Sequence, residues 1–175
     1  MLDQNTSAQL KTLLERLEGP IELVATLNDS DKSAKIKELV EEVAALSDLV
    51  TARFDGKNSR APSFGIAKAG EEPRVFFAGL PMGHEFTSLI LALLQTSGYA
   101  PKVSDEVLTS IKELGVNSHF DVFVSLSCHN CPDVVQALNL IAIYNPGATA
   151  TMIDGAFFKD EVEERKIMAV PMVFQ

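Results

Sequence analysis

The segment FDVFVSLSCHNCP, residues 120–132, decides the fold of this chain. Its apolar run over residues 122–126 is rich in β-branched and aromatic side chains and predicts a buried strand. Ser127 ends that run, and Cys128-His129-Asn130-Cys131 follows as a turn. Pro132 suits the first turn of a helix, where its missing N–H is not needed. We therefore predict a strand, a CxxC turn and a helix that starts in the second half of the motif.

Cys128 is predicted to lie at the N-terminus of that helix. Unpartnered backbone N–H groups and the helix dipole favour an anion at such a position. A thiol there loses its proton more readily, and the thiolate is the reactive form of cysteine. The placement, more than the CxxC spacing alone, indicates dithiol–disulfide chemistry. Cys128 is then the nucleophile and Cys131, one turn further in, is the resolving thiol.

Composition narrows the classes of function. The 175 residues, 46% of them hydrophobic, suffice for one sizeable core or for two small domains that share one. The net charge is −9 and there is no cluster of Lys and Arg, which argues against a nucleic-acid or anionic-membrane partner. The longest apolar run, residues 89–94, is too short to span a bilayer.

Cysteine usage and the N-terminus indicate the compartment. The N-terminal residues MLDQNTSAQL lack the basic and apolar regions of a secretory signal. The only two cysteines form the CxxC, so none is left for a structural disulfide framework. A working dithiol of this kind is typical of a reducing compartment, and we expect a cytoplasmic protein.

Two halves of the chain repeat the same order of predicted elements. The first half contains a helix over residues 7–17, a strand over 21–27, a helix with apolar positions between 36 and 46, a strand over 49–54, a strand over 63–67 after Pro62, a strand over 74–78 and a helix with apolar positions between 86 and 94. The second half contains a helix capped by Ser104, the strand before the CxxC, a helix over 134–144, a strand over 148–153, a short helix over 158–165 and a strand over 172–174 after Pro171. We predict two units, residues 1–100 and residues 101–175.

Alignment of the halves places Leu27 near Leu126 and Pro62 near Pro171. The polar turn over residues 28–33 then takes the place of the CxxC but contains no cysteine. The second half stops at Gln175, before the last strand and helix that the first half has. An unpaired strand edge is unfavourable in isolation, so we expect the chain to be part of something longer.

A strand, a CxxC at a helix N-terminus and a later proline before a strand together resemble the thioredoxin fold. The strings GHEFTSLILALL (residues 83–94) and SLSCHNCPDVVQALN (residues 125–139) resemble the N-terminal domain of the flavoprotein subunit of bacterial alkyl hydroperoxide reductase. The resemblance runs from Leu2 to the end of the chain. It implies an α/β fold of two fused thioredoxin-like units, the second truncated at its C-terminus.

The same resemblance implies a function. Such a domain carries electrons from a flavin-linked dithiol to the disulfide of a partner peroxiredoxin, which reduces peroxides. The chain has no GxGxxG and no flavin or nicotinamide module, so we expect FAD and NADH on a separate flavoprotein module. Thiol exchange itself needs no metal or bound cofactor, and we expect none in this chain. Ser127 and His129-Asn130 replace the Trp and the Gly-Pro of ordinary thioredoxin, so thioredoxin's redox potential and partners are not implied.

Other interpretations of the CxxC stay open. A structural disulfide that closes so short a loop contributes only about 2 kcal/mol. A zinc site needs four ligands, and His84, His119 and His129 lack the usual spacing of zinc-binding histidines. The chain could also be a stand-alone glutaredoxin-like protein disulfide oxidoreductase, or a non-catalytic docking module.

Residues outside the motif complete the predicted site. The resemblance implies that Pro171 is cis and faces the cysteines, with Pro62 a cis relic in the first half. His129 and Asn130 are candidates for tuning the dithiol. His84 and His119 are expected to be structural or solvated. Asp121 is expected to be a surface carboxylate, and the acidic run over residues 161–164 a solvated helix face.

Glu85 has two interpretations. It opens the most apolar helix of the first half, where a glutamate complements the helix dipole. Alternatively it is buried across the interface between the halves, with a raised pKa, and takes the proton from Cys131 when a mixed disulfide is resolved. The second interpretation makes it a catalytic residue.

Overall fold

The computed structural model describes every residue from Met1 to Gln175 as one mixed α/β structure. Its helices are α1 (Gln4–Leu14), α2 (Asp31–Ala45), α3 (Phe86–Thr96), α4 (Asp105–Glu113), α5 (Cys131–Tyr144) and α6 (Lys159–Glu164), and a single 3-10 turn, Gly83–Glu85, leads into α3. Its strands are β1 (Ile21–Thr26), β2 (Val50–Arg53), β3 (Ser63–Lys68), β4 (Val75–Ala78), β5 (Ser118–Val124), β6 (Ala148–Asp154) and β7 (Met172–Phe174). These elements follow the predicted order.

Side-chain caps start three of the helices. The side chains of Asp3, Ser30 and Ser104 accept hydrogen bonds from backbone N–H groups in the first turns of α1, α2 and α4. Each bond satisfies a donor that has no partner within the helix. α5 has no such cap and begins with Cys131 and Pro132, as the sequence predicts. The backbone N–H of Cys131, in this uncapped first turn, therefore donates to the sulfur of Cys128.

The seven strands form one sheet in the order β2-β1-β3-β4-β6-β5-β7. β1 pairs parallel with β2 and antiparallel with β3, and β5 pairs in the same way with β6 and β7. The two halves meet where β4 pairs parallel with β6, from Val75 opposite Ala150 to Ala78 opposite Ile153. The carboxyl ends of β4, β5 and β6 therefore lie at one edge of the sheet. The division into two units at residue 100 stays a prediction, because both halves share this sheet.

Alternate residues of the strands face two cores. The larger core joins α1, α2, α3 and α5 to the sheet, with Phe64 and Phe77 stacked at 5.5 Å between ring centroids. The smaller core contains Ala78, Phe123 and Ile153 and is covered by side chains from α6 and from the segment that follows it. The site at the carboxyl edge thus rests on strands that are packed on both faces. None of the helices is long and apolar enough to cross a membrane.

The prediction that Asp121 is a surface carboxylate was wrong. Asp121 is 7% exposed, and Arg60 donates hydrogen bonds to its two oxygens at 3.1 and 2.8 Å. Arg60 also donates to both oxygens of Glu161, at 2.8 and 3.0 Å, so Glu161 is not simply part of a solvated helix face. The physical reason is that a cation from the first half binds both carboxylates, which permits the burial of Asp121.

Candidate functional site

The two cysteines form a disulfide at the start of α5, with Cα atoms 5.6 Å apart. Cys128 is half-buried, whereas Cys131 has no exposed surface. The backbone N–H of Cys131 donates to Cys128 Sγ at 3.2 Å. Cys128 is thus the more accessible sulfur, as predicted, and the assignment of Cys128 as nucleophile and Cys131 as resolving thiol stays a prediction.

Pro171 lies beside the disulfide. The Val170–Pro171 peptide is cis, as the resemblance implied, and the carbonyl oxygen of Val170 is 4.0 Å from Cys128 Sγ. The equivalent place in the first half has the same backbone, because the Ala61–Pro62 peptide is also cis. There the side-chain amide of Asn28 donates to the carbonyl of Ala61 at 3.1 Å. In the first half, Asn28 thus contacts the carbonyl before the cis proline, as Cys128 does in the second half.

The 3-10 turn of the first half contacts the CxxC turn directly. The N–H of His84 donates to the carbonyl of Leu126 at 3.0 Å. The imidazole ring of His84 packs edge-to-face on that of His129, with centroids 4.5 Å apart. Gly83 has φ +56°, and a Cβ at this position would lie 2.9 Å from the carbonyl oxygen of Leu126. The sequence did not predict this contact, although the string GHEFTSLILALL carried the resemblance.

Glu85 is fully buried and has no counter-charge. Burial raises the pKa of its carboxyl from the ordinary value of 4.5, and the hydrogen bond from Ser88 opposes that shift. Ser88 Oγ donates to Oε1 at 2.8 Å, while Oε2 has no hydrogen-bond partner. Gln136 of α5 donates to Ser88 Oγ at 3.1 Å, so the carboxyl is linked to the helix that begins with Cys131. Glu85 is therefore buried with a raised pKa, as the second interpretation expects, and its role as proton acceptor for Cys131 stays a prediction.

The remaining predicted residues divide between the site and the far end of the sheet. His129 and Asn130 are exposed in the CxxC turn, and Asn130 precedes α5 without a side-chain cap. His119 lies at the start of β5, where its ring contacts the hydroxyl of Thr149. Because the CxxC follows the other end of β5, His119 lies away from the dithiol.

Sequence reasoning missed Asp154, the last residue of β6. Its carboxyl is 3% exposed and accepts a hydrogen bond from the N–H of Ala156 at 3.0 Å. Burial raises its pKa, against the opposing effects of that bond and of Lys32. Its position at the end of a strand parallel to β5 was the available signal, since such strand ends share one edge of the sheet. No group of three or more His, Cys, Asp or Glu side chains is arranged to hold a metal ion.

Comparison with known proteins gives consistent results. A family model described as "Thioredoxin domain" matches residues 118–174. The chain is 53% identical to the alkyl hydroperoxide reductase AhpF of Pseudomonas putida over 174 residues, and 51% identical to that of Escherichia coli K12 over 175 residues. Each alignment covers 99% of this chain but 34% of the relative. The chain therefore spans about a third of the length of these relatives.

Solved structures agree with this similarity. The N-terminal domain of alkyl hydroperoxide reductase AhpF from Enterococcus faecalis superposes with a TM-score of 0.89 at 28% identity, covering 99% of this chain and 90% of that one. A protein disulfide oxidoreductase from Aeropyrum pernix gives a TM-score of 0.82 at 19% identity, covering 99% of this chain and 84% of that one. The second match shows a shared fold only.

Proposed function

Since this chain belongs to the AhpF family of alkyl hydroperoxide reductases and corresponds to its N-terminal, thioredoxin-fold part, we propose that it is a dithiol–disulfide electron-transfer module. It accepts electrons from a flavoprotein dithiol and passes them to the disulfide of a peroxiredoxin. FAD and NADH belong to the flavoprotein part of the system in this proposal. The observation that carries it is the pairing of a half-buried Cys128 with a fully buried Cys131 at the start of α5, opposite the Val170 carbonyl.

The reaction begins with the dithiol form. The Cys128 thiolate attacks one sulfur of the partner disulfide, the partner's S–S bond breaks, and a mixed disulfide forms. The partner's second cysteine leaves as a thiolate and takes up a proton. Cys131 then loses its proton and attacks Cys128 Sγ, which releases the partner's first cysteine. Two electrons reach the partner, and this chain is left with the Cys128–Cys131 disulfide.

The surroundings of Cys128 favour its thiolate. The N–H of Cys131 points at Cys128 Sγ from 3.2 Å, and the N-terminus of α5 contributes a partial positive charge.

The cis peptide before Pro171 places the Val170 carbonyl beside the same sulfur. An extended segment of the partner can pair with backbone groups at this edge while its disulfide meets Cys128.

Glu85 supplies the proton acceptor that a buried Cys131 requires. A carboxyl is an effective general base when its pKa is close to the working pH, and burial raises the pKa of Glu85 toward that range. The Ser88–Gln136 link connects the carboxyl to α5. Because Glu85 comes from the first half, the site requires both halves of the chain.

Trapping of the mixed disulfide tests this function. The reduced Cys131→Ser variant, mixed with a purified bacterial peroxiredoxin in its disulfide form, should accumulate a covalent complex that dithiothreitol dissolves. The Cys128→Ser variant should form none, because its remaining thiol is buried. Non-reducing electrophoresis and intact mass measure both results. Trapping by Cys128→Ser instead would reverse the roles, and binding that survives replacement of both cysteines would indicate a docking module.

A further inference from the structure

Met168 is the most exposed apolar side chain of the molecule. It is 92% exposed, twice the exposure of Leu114, the next highest at 46%. It lies in the segment over residues 165–171 that joins α6 to the cis peptide before Pro171. An isolated exposed methionine on a mobile tail would mean little, but this segment is held at both ends.

The start of the segment is held by the C-terminal turn of α6. Lys166 has φ 54°, and its N–H donates to the carbonyl of Glu163. The N–H of Ile167 reaches back to the carbonyl of Val162 at 3.0 Å, and the two side chains pack in the same small core. This pair of bonds is the Schellman arrangement, which turns the chain sharply after a helix. Ile167 is thereby directed inward and Met168 into solvent.

The end of the segment is held at the dithiol. Val170 contacts both cores, and its carbonyl oxygen is 4.0 Å from Cys128 Sγ. Two residues of chain span at most about 7 Å, so the backbone of Met168 lies close to the approach to Cys128. Met172 and Val173 of β7 extend the exposed apolar surface, at 36% and 41% exposure. A partner that brings its disulfide to Cys128 from the side of this segment would come near Met168.

We propose that Met168 is a peroxide-sensitive docking residue for the disulfide-bearing partner, an inference that rests on the proposed function. Its flexible, polarisable thioether packs against apolar surface of the partner. A hydroperoxide transfers its terminal oxygen to the sulfur, which loses two electrons, and the O–O bond breaks to release the alcohol, or water from hydrogen peroxide. The resulting sulfoxide is polar, weakens the contact and slows electron delivery when peroxide accumulates.

The first experiment maps oxidation across the five methionines. The disulfide form of the chain is exposed to hydrogen peroxide, catalase ends the reaction, and peptide mass spectrometry measures oxygen uptake at each site. Met168 should be oxidised fastest, Met1 and Met172 more slowly because they are 40% and 36% exposed, and the fully buried Met152 last. Oxidation of Met172 or Met1 ahead of Met168 would overturn the proposal.

The second experiment measures what that oxidation does. Treated and untreated chains are reduced with dithiothreitol, desalted, and mixed in single turnover with a disulfide-form peroxiredoxin or with the small disulfide DTNB. Peroxide treatment should lower the ratio of the peroxiredoxin rate to the DTNB rate several-fold in the wild type. In Met168→Leu, peroxide treatment should leave this ratio at its untreated value, whatever that value is. In Met168→Gln, the ratio should already be low before treatment. In the control variant Met172→Leu, treatment should lower the ratio of the two rates as much as it does in the wild type.

The outcomes separate the two proposals. A fall in the ratio that persists in Met168→Leu, or a normal ratio in Met168→Gln, would refute the role of Met168 and leave the proposed function intact. If the untreated wild type reduces DTNB but no peroxiredoxin, the proposed function fails and the docking role fails with it.

Discussion

At the scale of single residues, Glu85 is the most unusual group of the molecule. A carboxylate without a counter-charge is costly to bury, and one of the two oxygens of Glu85 has no partner at all. Burial favours the protonated form of the carboxyl and raises its pKa. The folded chain is therefore destabilised when the pH is high enough to ionise Glu85. That cost is tolerated at sites of chemistry, and here the carboxyl is linked through Ser88 and Gln136 to the helix of the dithiol.

We predict opposite effects of Glu85→Gln on stability and on resolution of the mixed disulfide. The pKa of Glu85 is higher in the folded chain than in the unfolded chain, so wild-type stability falls as pH rises above 4.5 toward the raised value. The variant should not show this fall and should gain about 1.4 kcal/mol at neutral pH for each unit by which the pKa is raised. Urea unfolding at a series of pH values measures the difference, which should vanish below the unfolded pKa.

The same variant should resolve the mixed disulfide more slowly, by roughly 100-fold if Glu85 acts as a general base. Acid-quenched single-turnover samples should show the covalent intermediate accumulate, and the pH dependence of its decay should flatten. Glu106→Gln is the matched control, because Glu106 also lies in a first helical turn but is exposed. Unaltered decay in Glu85→Gln would leave Glu85 without a role in proton transfer.

At the scale of elements, the 3-10 turn Gly83–Glu85 positions the CxxC turn. It contributes a backbone hydrogen bond from His84 to Leu126, the ring contact with His129 and the buried carboxyl. The close approach is possible because Gly83 adopts a left-handed conformation and has no side chain. The first half thus contributes a rigid support for the dithiol, although it has no cysteine of its own.

Substitution of Gly83 should test that close approach. Gly83→Ala adds a Cβ 2.9 Å from the Leu126 carbonyl oxygen and also strains the backbone at φ +56°. We expect a loss of about 1–3 kcal/mol of unfolding free energy and a changed rate of Cys128 alkylation in the reduced chain. Gly70→Ala is the control, because Gly70 has φ +85° but open space around it. Equal effects of the two substitutions would show that backbone conformation, and not contact with the CxxC turn, explains the cost.

At the scale of the whole molecule, Arg60 joins the two halves on the face of the sheet that α6 covers. It comes from the segment before the cis Ala61–Pro62 peptide and makes four hydrogen bonds, two to Asp121 of β5 and two to Glu161 of α6. Its side chain is only 13% exposed. The bridge also fixes α6. The segment over residues 165–171 runs from the end of α6 to the disulfide.

We expect Arg60→Ala to cost about 1–3 kcal/mol of unfolding free energy. It removes both hydrogen bonds to the buried Asp121 and leaves it the guanidinium of Arg165, 3.7 Å away. Arg60→Lys should recover only part of this, because an ammonium lacks the planar fork that binds two carboxylates. Arg53→Ala is the comparison: Arg53 pairs with Glu22 and Asp55 but is 40% exposed, so about 0–1 kcal/mol is expected. Equal midpoints of Arg60→Ala and Arg53→Ala in urea would contradict the buried bridge.

Local features of the sequence were sufficient for the elements and for the dithiol. The strand before the CxxC, the start of α5 at Cys131, the Ser104 cap and the repeated order of elements depend on residues a few positions apart. Boundaries were less predictable, because β5 begins at the polar Ser118 and pairs with β6 through its backbone. The cis geometry at Pro171 came from the resemblance and not from the local pattern.

Only the tertiary structure decided which side chains the two halves bring together. Asp121 and Arg60 are 61 residues apart, and nothing near either residue indicates that a guanidinium covers the carboxylate. The same holds for the contact between His84 and His129 and for the burial of Glu85, which the sequence left as one of two interpretations. The physical reason is that helix and strand formation depends on local spacing, whereas burial and pairing depend on which distant element packs above a residue.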